Sequence, residues 1–292
     1  MIERGVFGKG ETALIDRKAE AFPFSSGGPS HPPITFQEYH DGFMGEYFYI
    51  LRKIFHTFAF DMKEFAIDFY EVPLDLFLRA LTWLTYVQTI VYEMDINVEK
   101  EEIGALAPNG PDLERGGRRI VEFLADHDLL DPEIERCVGQ VVTYLERERR
   151  DLRGKAEYSE AEILSILELK SSDLEMLRRL LLRLFEIPAD SQEMAIFRRI
   201  DQVREVFDDI RDYHEDQKIA NFNTVIFLQK IGGDMRRGSE LLRRFVEEEM
   251  RGIARLVEAL DRERQSKLQA ILDRLDGEKE YFLEELDHLP RG

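Results

Sequence analysis

The chain has 292 residues, 43% of them hydrophobic and 11% aromatic, enough for a packed globular core, which excludes an intrinsically disordered protein. Its 40 Lys and Arg against 59 Asp and Glu leave a net charge of −19, which argues against nucleic acid and anionic membrane as main partners. A single cysteine, Cys137, allows no intrachain disulfide and fits a reducing compartment; with no apolar signal segment, and no uncharged run longer than 80–92, the expectation is a soluble cytoplasmic protein without a membrane span.

Residues 1–34 are weakly patterned and end in SSGGPSHPP, so they read as a surface arm, and 35–292 as one all-helical domain. Thr35 with Glu38 is a capping-box signal, and the aromatic-rich stretch from Phe36 to about Tyr70 follows it. Pro73 opens a second long helix, 74 to about 98, apolar on nearly every face and therefore expected to be central. GALAPNGPDLERGG (104–117) reads as a breaker-rich connection, followed by a helix over 118–125. Asp131-Pro132 predicts an N-cap with proline at the first helical position of a helix reaching about Arg153; Cys137 sits on it with Ile134, Val138 and Val141 and reads as a small core residue. Ser159 and Glu162 form a second capping box, opening one helix to Phe185 that Pro188 ends. Helices are then expected over 191–217, over 222–231 before Gly232-Gly233, and over 239–260 and 261–286. No strand-like alternation is present, so the fold class is all-α, a single large bundle of about ten helices.

The helix from Ser191 carries the chemistry. Ile200, Val203, Phe207 and Ile210 make a buried stripe, and Asp208, Asp212 and Asp216 run beside it at four-residue steps, with Asp209 next to the first. Like charges at that spacing cost roughly 0.2–0.5 kcal/mol per pair, so the ladder calls for a counter-charge. A hard divalent cation such as Mg²⁺ is one, because it takes carboxylate oxygens and keeps water or phosphate as its other ligands. Acidic residues are abundant here, so the ladder on its own also fits a solvated helix face.

Three stretches together resemble the class I isoprenoid synthase superfamily: DDIRDYHED (208–216) with NFNTVIFLQK after it, ILELKSSDLEMLRRLLLRLFE (166–186), and LTWLTYVQTIVYEMDINVEKEE (81–102). Asp208, Asp209 and Asp212 match the DDxxD form of the family's second acidic motif. Asp208, Asp212 and Asp216 approximate the terpene-cyclase triad, whose following Lys and Asn-Val run are met by Lys218 and NFNTV. The resemblance implies a helical bundle around a central cavity and a prenyl diphosphate substrate ionised with Mg²⁺ (or Mn²⁺) as cofactor. It implies Lys170, beside Ser171, as a diphosphate contact. The first acidic motif is degenerate: Glu93, Asp95, Asn97 and Glu99 stand where DDxxD is expected and would form the facing metal rim. Phe55, Phe58, Trp83, Tyr86 and Tyr92 would line the cavity, or simply build the core.

Arg204 and Arg211 lie near the ladder and could meet the diphosphate, or pair with acids on their own helix; Arg211 is taken with Lys170 as the catalytic cation set. Arg118-Arg119 and the patch Arg52, Lys53, His56 are further basic candidates, while His40 and His214 lack metal-ligand spacing. The sequence after Asp216 favours a terpene synthase-type reaction over prenyl transfer. The rival reading is a catalytically degenerate protein of the same fold serving as a binding or partner subunit. The charged, periodic pair of helices over 239–286 reads as a lid support or as a homodimer contact.

Overall fold

The computed structural model describes residues 44–102, 112–152, 159–219, 222–232 and 235–289; the arm over 1–34 and the Thr35 capping box lie outside them. Among the described residues there are helices and no strands. The helices are α1 (Met44–Thr57), α2 (Leu74–Glu102), α3 (Leu113–Asp126), α4 (Pro132–Leu152), α5 (Glu160–Lys170), α6 (Ser172–Leu184), α7 (Ser191–Ile219), α8 (Thr224–Gly232), α9 (Met235–Glu258) and α10 (Arg262–His288). Two π-helical stretches, Phe58–Met62 and Glu64–Phe69, prolong α1. No described helix is long and apolar enough to cross a membrane.

Side-chain caps set most of the starts. Asp112 takes the Arg115 amide at 2.9 Å, Asp131 takes those of Glu133 and Ile134 at 2.9 Å, and Asp190 takes those of Gln192 and Glu193 at 2.8 and 2.9 Å. Ser159 and Glu162 close the capping box expected for α5. The ends of α3 and α6 use a device the sequence did not advertise. Asp128 (φ 58°) and Glu186 (φ 55°) take the left-handed conformation usually left to glycine, and the next amides reach back five residues, Leu129 to Leu124 and Ile187 to Leu182, both at 2.9 Å.

Two expectations need correction, and a third holds only in part. Gly116 and Gly117 belong to α3 rather than to the connection before it. A Cβ on Gly116 would fall 2.2 Å from Met94 Sδ, so the glycine is there to let α3 close on α2. The helix expected over 159–185 is two helices, broken at Ser171 with no glycine or proline to mark it. Helix α2 is central along most of its length, with Trp83, Leu84, Val87, Ile90 and Met94 buried, but it is not covered on every face, since Leu74 and Leu78 at its start are more than half exposed; α6 is buried over most of its length, from Met176 to Leu184. Cys137 is a buried free thiol, as expected, and burial pushes it up to about 12, so it is inert near neutral pH.

The site follows from how the long helices pack. Helix α2 lies against α1, α3, α4 and α6; α7 lies against α5, α6, α8, α9 and α10. So α6 is shared, packing against both α2 and α7. The α6–α7 seam is locked by a buried ion pair in which Arg178 donates through both Nη atoms to the Asp201 carboxylate, between the rings of Phe65 and Phe197. The π-helical stretches bring Asp61 and Glu64 to Arg204 of α7, at 3.4 and 3.0 Å. Such stretches often mark functional sites, and here this one feeds a buried ionic network. Burial first, then the Asp201 charge, pushes the Asp61 carboxyl up to about 7.

Candidate functional site

Helix α7 splits its acids between two faces. Asp208 and Asp212 are about half exposed, at 46% and 49%, while Asp209 is 2% exposed. One guanidinium bridges the outer pair: Arg211 Nη1 donates to Asp208 Oδ1 at 2.9 Å and Arg211 Nε to Asp212 Oδ1 at 3.1 Å. Thus the counter-charge the ladder calls for comes, in this structure, from its own helix. Partial burial raises the Asp208 carboxyl above its ordinary range against the pull of Arg211 and Lys170.

Asp209 points inward and has its own partners. Lys170 Nζ donates to Oδ1 at 2.7 Å, and the Thr224 amide at the start of α8 donates to Oδ2 at 3.0 Å. Asn223 adds a second tie. Its Oδ1 caps α8 by accepting from Val225 and Ile226, while its Nδ2 donates to the Asp209 carbonyl at 2.7 Å and to Asp216 Oδ2 at 2.9 Å. The end of α5, the middle of α7 and the start of α8 therefore meet on one carboxylate. Asp209 acts as a strut behind the ladder, each of its two oxygens accepting one hydrogen bond.

Lys170 lies where the sequence placed it, beside the acidic stretch, but it is not a free cation. Besides Asp209 it meets Glu205 of α7 at 3.1 Å. Asp209 is the nearer partner and holds the ammonium charged, well above its usual range. Burial pushes the Glu205 carboxyl up to about 8, with Lys170 opposing. Sequence reasoning missed Glu205. It also missed Asp173, on the first turn of α6, a partly buried carboxyl that takes Gln88 Nε2 at 2.7 Å and is raised by burial. The signal was available: both follow the same helical stripes as residues that were named.

The upstream rim carries its own cations. Glu93 accepts from Arg119 at 2.9 Å, and Asp95 from Lys53 at 3.1 Å, so two basic candidates meet this rim rather than the ladder. Asn97 is half-buried, and the Glu99 side chain lies outside the described set. The Tyr144 hydroxyl of α4 is held well above its usual range by burial, then by the charges of Glu148, Asp95, Glu205 and Asp209. Arg204 is drawn away to Asp61, Glu64 and Glu278, and Arg118 stays with Asp112 and Glu114. Of the proposed lining aromatics, Phe58 and Trp83 are core and Phe55 is 72% exposed. A cavity of about 510 Å³ lies elsewhere, where the starts of α7 and α10 meet Tyr70 and Arg264.

No three His, Cys, Asp or Glu side chains among the described residues are gathered for one metal ion. The donor chemistry does suit Mg²⁺, which commonly takes one or two protein carboxylates and completes its shell with water and substrate phosphate. Asp208 and Asp212 are such a pair, open to solvent on one side and already converging on a cation. Comparison of the chain with protein-family models, with curated proteins and with solved structures returned no match.

The raised Glu205 carboxyl gives a pH signature. Its folded value, about 8, lies above the ordinary 4.5, so the folded state keeps a proton that the unfolded state sheds between those values. The stability this provides is complete below about pH 4.5 and is lost as pH rises through about 8. Glu205→Gln, which is neutral at every pH, is expected to lose less stability than wild type between pH 5.5 and 8.5 in urea titrations. Equal losses would show that Glu205 ionises normally.

Proposed function

We propose that the protein is a class I isoprenoid synthase-like enzyme that ionises a prenyl diphosphate. The allylic C–O bond breaks heterolytically, its electron pair leaves with pyrophosphate, and the carbocation is resolved by cyclisation or prenyl transfer. The observation that carries this reading is the pair Asp208 and Asp212, half exposed and converging on one cation, backed by the Lys170–Asp209–Thr224 strut. The likeness of 208–228 to the terpene-cyclase motif supports it.

Asp208 and Asp212 would hold Mg²⁺ (or Mn²⁺), with Asp216 next in line on the same helix. The bound ion neutralises charge on the departing diphosphate. Lys170 supplies fixed positive charge behind the ladder, and Asp209 and Glu205 keep it pointing there.

The test is a thermal shift with Mg²⁺ and pyrophosphate, each alone and together. A ligand at ~100 Kd stabilises the folded state by about 2.7 kcal/mol, which is readily seen. A rise that needs both components and disappears in Asp208→Ala is expected. Unchanged melting with the pair together would leave the second reading, a partner or binding subunit of the same fold. That reading is favoured by the Glu93–Arg119 and Asp95–Lys53 pairs, which neutralise the upstream rim without any metal.

A further inference from the structure

We infer that the cavity between the starts of α7 and α10 is a binding site for a small zwitterion, an aliphatic α-amino acid. At about 510 Å³ it falls within the range of small-molecule sites. None of its lining residues belongs to the acidic ladder or to the Lys170–Asp209–Thr224 strut.

Charges of both signs line the cavity, and each is fixed separately. Glu193 is buried; its Oε2 accepts from the Tyr70 hydroxyl and its Oε1 faces Arg264 Nε at 3.1 Å. The Arg264 guanidinium lies over the rings of Phe69 and Tyr70, 5.2 and 5.3 Å from their centroids. It is thus held at Nε and stacked on one side, while among the described residues neither Nη donates a hydrogen bond. A guanidinium fork presented this way matches a carboxylate, which it meets with two parallel N–H donors. The opposite charge comes from the two helix caps. Asp190 and Asp261 each use Oδ1 on backbone amides of their own helices, and neither Oδ2 accepts a hydrogen bond among the described residues. Asp261 and Arg264 stand three positions apart at the start of α10, a spacing of roughly 5–6 Å between Cβ atoms. An ammonium and a carboxylate carried on one carbon fit between such a pair. Ile187 and Pro188 ahead of α7, with Ala259 and Leu260 ahead of α10, give apolar wall for an aliphatic side chain. A plain anion would meet two aspartates and a plain cation would meet Arg264, so neither uses the whole site.

Calorimetric titration of the full-length protein with L-leucine, N-acetyl-L-leucine and L-leucinamide is the test. Saturable binding of L-leucine is expected, with each derivative at least about tenfold weaker, because each lacks one of the two charges. Two variants separate the contacts. Asp261→Asn keeps the cap and removes the charge. Arg264→Lys keeps a cation beside Glu193 and removes the fork. Each should weaken L-leucine at least about tenfold. Asp261→Asn should leave N-acetyl-L-leucine unchanged, since that ligand has no ammonium to lose, and Arg264→Lys should likewise leave L-leucinamide unchanged. If wild type binds no L-leucine, or binds either derivative as tightly as L-leucine, the cavity is not a zwitterion site. Equal weakening of all three ligands in either variant would also overturn it, because a disturbed fold, and not a lost contact, would then be the cause.

Discussion

Arg178→Met is expected to lower the unfolding free energy by about 3–5 kcal/mol, because it strands Asp201 as a buried acid without its paired cation. Arg178 is 1% exposed and Asp201 0%, and the pair joins α6 to α7 at the centre of the bundle. Burial raises the Asp201 carboxyl while Arg178, and more weakly Arg204, pull it down, so Arg178 is its principal counter-charge. The loss should therefore exceed what deletion of an ordinary surface pair causes, typically below about 1 kcal/mol. Replacing both partners, Arg178→Met with Asp201→Leu, should recover most of the loss, since an apolar pair of similar volume needs no desolvated charge. Urea titrations of wild type, both singles and the double provide the measurement. A double variant as unstable as the sum of the singles would show that packing around Phe65 and Phe197, not charge, sets the effect.

The second large effect is expected at Asp209. Asp209→Ala removes the carboxylate on which α5, α7 and α8 meet, leaving the buried Lys170 ammonium with Glu205 alone and the Thr224 amide without its acceptor. The expected cost is about 3–5 kcal/mol. Its neighbour supplies the control: Asp208→Ala, half exposed on the other face, should change stability by no more than about 0.5 kcal/mol. Two adjacent aspartates would then separate cleanly, one by stability and one by the response to Mg²⁺ and pyrophosphate. If Asp209→Ala melts like wild type, the strut does not exist as drawn, and Asp209 becomes available as a ligand.

That contrast also marks where reading the chain stopped. The helical character, the Asp131-Pro132 and Ser159 starts, the buried Cys137 and the placing of three aspartates along one side of α7 all follow from local chemistry, because caps, periodicity and turn residues act within a few positions. The break at Ser171, the left-handed ends at Asp128 and Glu186, and the helical Gly116 and Gly117 are local in space but lack a residue-level marker; packing against other helices decides them. The π-helical turns that aim Asp61 and Glu64 at Arg204 were equally invisible. Above all, which acid meets which cation is a property of the assembled bundle. Lys53 reaches Asp95 across 42 positions, and Lys170 reaches Asp209 across 39. The sequence by itself determined that α7 carries a stripe of carboxylates needing counter-charge. Only the tertiary structure decided that Arg211 answers the exposed pair and Lys170 the buried one, because a carboxylate's partner depends on which face the core leaves open to water.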